Sequence, residues 1–235
     1  MNPDARVAVY YAPREDDLLF AAGSAWLGRN ALLGSPVAQP PLPGIVELTA
    51  EPRVYGFHAT LKPPMRLTAD VTWAALLAAA DGLAGQIAPF DLPSLAVSDT
   101  FGFLALRETA SCPALQALAD ACVEQLDRFR MPPSDEELAR RRRAPLSPAR
   151  EAMLVRWGYP YVFATWFFHM TLTRHLTPSE HAIWHPRAEE FFREALAQPR
   201  RVTDICLFTQ VRPGAPFAIA ERLALRGRSN PRLGI

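Results

Sequence analysis

Residues 57–61, Phe57-His58-Ala59-Thr60-Leu61, and residues 168–172, Phe168-His169-Met170-Thr171-Leu172, are two copies of one pattern, Phe-His-x-Thr-Leu. Alternate side chains of a β-strand share a face. Each copy therefore predicts a strand with one apolar side, carrying Phe, the variable residue and Leu. The other side presents an imidazole beside a hydroxyl. The elements expected after each copy also repeat: a helix, then a strand, then a strand. The chain has five histidines, and two of them occupy matching places in a repeated unit, which points to internal duplication. The expected fold is α+β, bilobal and duplicated, with two antiparallel sheets around a central cleft and helices outside. A single two-lobed domain over 1–235 is expected, its lobes near 1–130 and 131–235 and able to exchange strands.

Outward from the first copy, alternation predicts a strand over Arg6–Ala12 and a helix over Asp16–Gly28, followed by the proline-rich SPVAQPPLPG loop. The motif strand itself is expected over Tyr55–Leu61, stopped by Pro63-Pro64. A helix over Ala69–Gln86 with Thr68 or Asp70 at its N-cap comes next. Strands near Asp91–Val97 and Phe101–Arg107 and a helix over Cys112–Phe129 complete the first half. In the second half, two short helices broken near Ala144-Pro145 precede a strand over Val162–Thr173. Thr177 with Glu180 three residues on forms a capping-box pattern for a helix to about Leu196. Strands near Val202–Gln210 and Phe217–Leu225 come last, and RGRSNPRLGI predicts a frayed tail.

Composition narrows the partners. Of 235 residues, 49% are hydrophobic and 21% charged, with a formal net charge of +1. These values suit a globular protein, and long nucleic acid is a poor partner for so little net charge. Cys112, Cys122 and Cys206 show no CxxC spacing, which argues against a disulfide scaffold or a zinc site. The opening MNPDARVAVYY lacks a signal-peptide pattern, and no apolar run approaches a membrane span. A cytoplasmic protein with no membrane partner is expected, its oligomeric state open.

Two imidazoles and two hydroxyls suit phosphoester cleavage. Histidine titrates nearest neutrality, so one copy takes a proton from water while the other supplies one to the leaving oxygen. The Thr60 and Thr171 hydroxyls donate to phosphoryl oxygens as charge shifts there. No metal or cofactor is called for. A lone His-x-Thr is more often a half-buried histidine with its bonds satisfied, and repetition is what favours catalysis. A metal site using His175, His181 and His185 is the other alternative. HExxH is absent and Pro186 follows His185, so these three are expected at the surface. Strand parity makes Lys62 and Thr173, both even from their histidines, further candidates for phosphate contact. Arg53 and Arg174 have the wrong parity. Tyr10, Tyr11, Tyr55, Tyr159 and Tyr161 are candidate substrate-lining residues, Tyr55 only if a bulge near Gly56 re-aims it. Residues Arg140–Arg143 point around a helix, so solvated surface is expected rather than a lid over an anion.

The paired motifs, with RVYGFHATLKPPMRL, ELARRRRAPLSP, RWGYPYVF and FHMTLT, resemble the 2H phosphoesterase superfamily, and one branch of it often encoded near genes for phosphonate breakdown. The resemblance runs from RVAVYYAP to PFAIAERLAL. It implies a bilobal fold with a central cleft, His58, Thr60, His169 and Thr171 as the signature residues, and action on a small cyclic phosphodiester of nucleotide or ribosyl type. Two other classes of function fit the same residues: a module that binds a nucleotide or RNA end without cleaving it, and an accessory protein of a phosphonate-processing assembly.

Overall fold

A computed structural model describes residues 4–228. The chain opens with β1 (Arg6–Tyr11), α1 (Leu18–Leu27) and the short helices α2 (Ile45–Leu48) and α3 (Ala50–Tyr55). The first motif enters β2 (Ala59–Met65), followed by α4 (Trp73–Gln86), β3 (Phe90–Leu92), β4 (Leu95–Thr100), β5 (Phe103–Glu108) and α5 (Pro113–Leu126). Two short helices, α6 (Asp135–Arg141) and α7 (Pro148–Trp157), lead to β6 (Met170–Thr171), which carries the second motif. Then come α8 (Pro178–Leu196), β7 (Arg200–Val202), β8 (Asp204–Gln210) and β9 (Ala218–Ala224).

The α+β expectation, with antiparallel strands, holds. Seven strands bond in the order β4-β5-β6-β2-β1-β8-β9, and β3 with β7 forms a small second sheet. Among the described residues the paired strands run antiparallel throughout. The two motif strands are neighbours, joined through Ala59↔Met170. Those residues hold the same place in the two copies, so the repeat meets itself at the middle of the sheet. Strands are shared across it: β4 and β5 flank β6, while β8 and β9 lie beyond β1 on the β2 side.

Alternation sorts the side chains as the motif predicts. Phe57, Ala59 and Leu61, with Phe168, Met170 and Leu172, are all buried in one large apolar core. The helices α4, α5 and α8 lie against the sheet, α5 on β2, α8 on β4 and α4 on β9. A smaller apolar cluster of Ala8, Tyr10, Phe20, Cys206, Phe208, Phe217 and neighbours covers part of the opposite face. Two indoles tie the motif backbones down: Trp166 Nε1 donates to the Thr60 carbonyl at 2.8 Å and Trp26 Nε1 to the Leu172 carbonyl at 2.9 Å. Gly23 makes room for Phe57, since a Cβ there would stand 2.1 Å from the Phe57 ring.

Several expected boundaries move. Residues Tyr55–Leu61 are not one strand: α3 ends at Tyr55, Gly56 turns the chain at φ 79, and β2 runs through Pro63 and Pro64. Two register irregularities opposite Val7–Tyr10 accommodate those prolines, which remove ladder donors. The helix expected from Ala69 starts at Trp73, because Thr72, not Thr68 or Asp70, accepts from the Ala75 amide. The strand expected over Val162–Thr173 shrinks to Met170–Thr171, its first part curling into a 3-10 turn at Phe163–Thr165. The Thr177–Glu180 capping box forms as expected. Most of the tail predicted to fray, from Ser229 onward, lies outside the described residues. Among the described residues no helix is long and apolar enough to cross a membrane.

Candidate active site

The register at Ala59↔Met170 places the four signature side chains on one face. Each histidine stands one residue before its strand, and extending the antiparallel register by one residue sets His58 level with Thr171 and Thr60 level with His169. In a regular ladder directly opposed residues stand about 5 Å apart and diagonal ones about 7–8 Å, and His58 and His169 hold diagonal positions of this register. All four residues are half-buried.

Both rings are held in the same tautomer. His58 Nδ1 donates to the Gly56 carbonyl at 2.9 Å, and His169 Nδ1 to the Phe167 carbonyl at 3.2 Å. A carbonyl can only accept, so each neutral ring leaves Nε2 as its lone-pair nitrogen. His58 Nε2 lies 3.3 Å from the Thr60 hydroxyl. Burial pushes the His58 imidazole down to about 4, the Gly56 bond opposing and the charge of His169 adding to the effect. Burial also lowers His169, with the Phe167 bond opposing and the nearby Arg107 charge adding.

Aromatic rings frame each imidazole. Tyr10 stacks on His58 with centroids 3.8 Å apart, and Tyr55 stands 6.2 Å from it. Gly56 re-aims Tyr55 as the sequence allows, although from a helix end rather than a bulge. Phe167 stacks on His169 at 4.6 Å and Phe103 meets it edge-on at 6.0 Å. Tyr161 lies 5.9 Å from Phe167, and Tyr159 5.7 Å from Tyr161, so both tyrosines continue this aromatic wall.

Three candidates do not reach the face. Lys62 is buried, donating to Asp127 Oδ1 and to the Val123 carbonyl, both at 3.1 Å. The β1–β2 irregularity is the reason: Lys62 lies opposite Val9, a core residue, so its even parity is lost. Thr173 is buried too, and its hydroxyl accepts from the Leu104 amide at 2.9 Å. Tyr11 pairs opposite Ala59 and packs in the large core, leaving Tyr10 as the first-strand tyrosine at the site.

The arginine run divides. Arg142 binds Glu151, tying α6 to α7, whereas Arg141 lies 4.5 Å over the Tyr159 ring. Arg140 and Arg141 line a cavity of about 540 Å³ with Arg6, Arg66 and Tyr55. Only part of the run is therefore plain surface. Arg107, Phe103 and Phe167 are not among the site residues expected from the sequence. Their arrival depends on which strand pairs with β6, and no local pattern in residues 103–107 carries that information. His175 is exposed, and His181 and His185 lie on α8 near Asp99 and Glu189. Among the described residues no group of three or more His, Cys, Asp or Glu is placed to hold a metal ion.

Fold and site together define an α+β protein with two His-x-Thr strands paired on one sheet face. The chain belongs to the family described as "Protein of unknown function (DUF1045)", whose model matches residues 60–218, a span that includes Thr60, His169 and Thr171. It is 37% identical over 232 residues to "Ribose 1,5-bisphosphate phosphokinase PhnN" of Janthinobacterium sp. (strain Marseille), covering 95% of this chain and 51% of that protein. The protein of the same name from Laribacter hongkongensis (strain HLHK9) is 39% identical over 222 residues, covering 92% of this chain and 51% of its own length. The chain thus spans about half the length of the curated relatives it matches. Among solved structures it is similar to E. coli LigT complexed with NADP+, with a TM-score of 0.46, 15% identity and coverage of 95% of this chain and 99% of that one. TT0787 of Thermus thermophilus gives a TM-score of 0.47 and 17% identity, covering 95% of this chain and 100% of that one.

Proposed function

We propose that this chain is a metal-independent phosphoesterase of the 2H type that hydrolyses a small cyclic phosphodiester. The observation that carries this reading is the Ala59↔Met170 register, which puts two imidazoles and two hydroxyls on one face. The substrate phosphate sits between the histidines. One Nε2 takes a proton from water as its oxygen bonds to phosphorus. The other imidazolium gives its proton to the ester oxygen as that P–O bond breaks, and the ring opens to a phosphomonoester. Thr60 and Thr171 donate to the non-bridging oxygens.

A ribosyl phosphate is the favoured substrate. The relatives, matched over about half their length, carry ribose 1,5-bisphosphate in their name, and a related sugar phosphate suits this reading. The kinase activity itself is not expected of this chain, because its single lysine, Lys62, lies in no Gly-x-x-x-x-Gly-Lys-Ser/Thr loop.

The test is hydrolysis of a panel of ribosyl and nucleoside cyclic phosphates in chelator-treated buffer. Turnover of at least one ribosyl member, unaffected by chelator, is expected, and no turnover across the panel rejects the proposal. The pH profile adds a sharper outcome. Activity needs one ring neutral and one protonated, and both free-protein rings are pushed below the ordinary imidazole value. A bell-shaped kcat/KM with its maximum below about pH 6.5 is expected. A plateau extending above that pH contradicts the two-ring mechanism.

A further inference from the structure

The strand β5 adds its own side chains to the site face. Ala105 pairs with Thr171 and Leu106 with Met170, so the register sets Arg107 opposite His169. Its guanidinium lies over the Phe167 ring at 5.2 Å, and Phe167 in turn stacks on His169. The arginine is half-buried, and its charge adds to burial in lowering the His169 imidazole.

Like Arg29 and Arg222, Arg107 leaves a bond unmade, and of the three it is the one set opposite His169. Among the described residues its Nε is sealed from solvent with no hydrogen-bond partner. Other cations nearby in the sequence or the fold are committed: Lys62 to Asp127, Arg66 to Glu137, Arg142 to Glu151 and Arg174 to Glu180. A buried donor left unmade is costly, and a guanidinium fork is shaped for phosphoryl oxygens. Arg107 is held by the Phe167 face beside His169, so its charge stands next to an anion bound on that side.

We propose that Arg107 is an anion-binding residue of this site, donating to a non-bridging oxygen of a phosphate held on the His169 side. The inference rests on the phosphoesterase reading for the identity of the anion, but the contact does not require turnover. It also couples occupancy to protonation: a bound phosphate offsets the Arg107 charge and makes the His169 ring easier to protonate when substrate is present.

The experiment measures binding of inorganic phosphate by calorimetry in the wild-type chain, Arg107→Met and Arg107→Lys, at fixed salt. His169 is followed by NMR titration in the same proteins. Arg107→Met keeps an apolar stem against Phe167 and is expected to weaken phosphate binding about 10–100-fold, the scale of a charged hydrogen bond. Arg107→Lys retains part of the affinity, since it keeps the charge but not the fork. In the phosphate-free Arg107→Met protein the His169 midpoint moves upward. Unchanged phosphate affinity in a folded Arg107→Met overturns the proposal, and if that variant does not fold, wild-type affinity in Arg107→Lys together with an unmoved His169 midpoint does so. Arg107-dependent phosphate binding without hydrolysis of any cyclic phosphate would reject the reaction and leave this contact standing. Hydrolysis with Arg107-independent binding would do the reverse.

Discussion

Replacing His58 or His169 with alanine is expected to lower turnover of the cyclic phosphate by about 10²–10⁴-fold each, the usual worth of one positioned proton-transfer group. The two losses should not add. In the proposed reaction base and acid act in one step, so the double variant should fall little below the weaker single one. Folding has to be checked separately, because the His58 ring also fills the space against Tyr10 and binds the Gly56 carbonyl. His58→Gln and His169→Gln keep more of that packing and should show the same kinetic loss with the wild-type melting temperature. Steady-state kinetics on folded protein decides the matter, and either glutamine variant retaining turnover removes its imidazole from the mechanism. Loss of the bell shape in the surviving activity is a further expected sign.

The largest expected effect on stability lies at Asp127. Its carboxylate accepts from Lys62 Nζ at 3.1 Å and from Arg130 Nε at 2.7 Å. Lys62 is buried, and burial already pulls its ammonium below the ordinary lysine value while Asp127 supports the charged form. Asp127→Ala leaves that ammonium with the Val123 carbonyl alone, and breaking such a pair costs about 3–5 kcal/mol. Lys62→Met removes the charge that needs a partner and should cost much less, since Asp127 keeps Arg130. The double variant should recover most of the loss, a coupling that urea unfolding measures directly. Lys62→Met should also keep wild-type turnover, because its side chain faces α5 and not the histidines. Turnover lost in folded Lys62→Met would restore the phosphate contact that strand parity suggests.

Lys62 also shows where a sequence stops being legible. The i,i+2 rule identifies the His58–Thr60 and His169–Thr171 faces because each short motif keeps its pleat. The apolar alternates Ala59, Leu61, Met170 and Leu172 bear this out by their burial. Two residues beyond Thr60 the rule fails, since Pro63-Pro64 and the irregular register opposite Val9 reset which way a side chain points. Local chemistry is readable: the Thr177–Glu180 box starts α8 because both halves of the interaction lie within four residues. The second motif strand is shorter than its composition suggests, because Val162–Phe168 is apolar enough for a strand. Yet Thr165 bonds the Pro160 carbonyl and curls the segment away. Arg107 is beyond reach for a different reason. Its place beside His169 depends on pairing between β5 and β6, which lie far apart in the chain, and nothing in either stretch alone encodes that partnership.

A crystal structure of the chain with phosphate bound tests the site most directly. One phosphate held by both His58 and His169 Nε2 atoms, with the Thr60 and Thr171 hydroxyls on its oxygens, is the expected result. Phosphate seated away from this face, or touching one imidazole while the other faces a separate pocket, contradicts it.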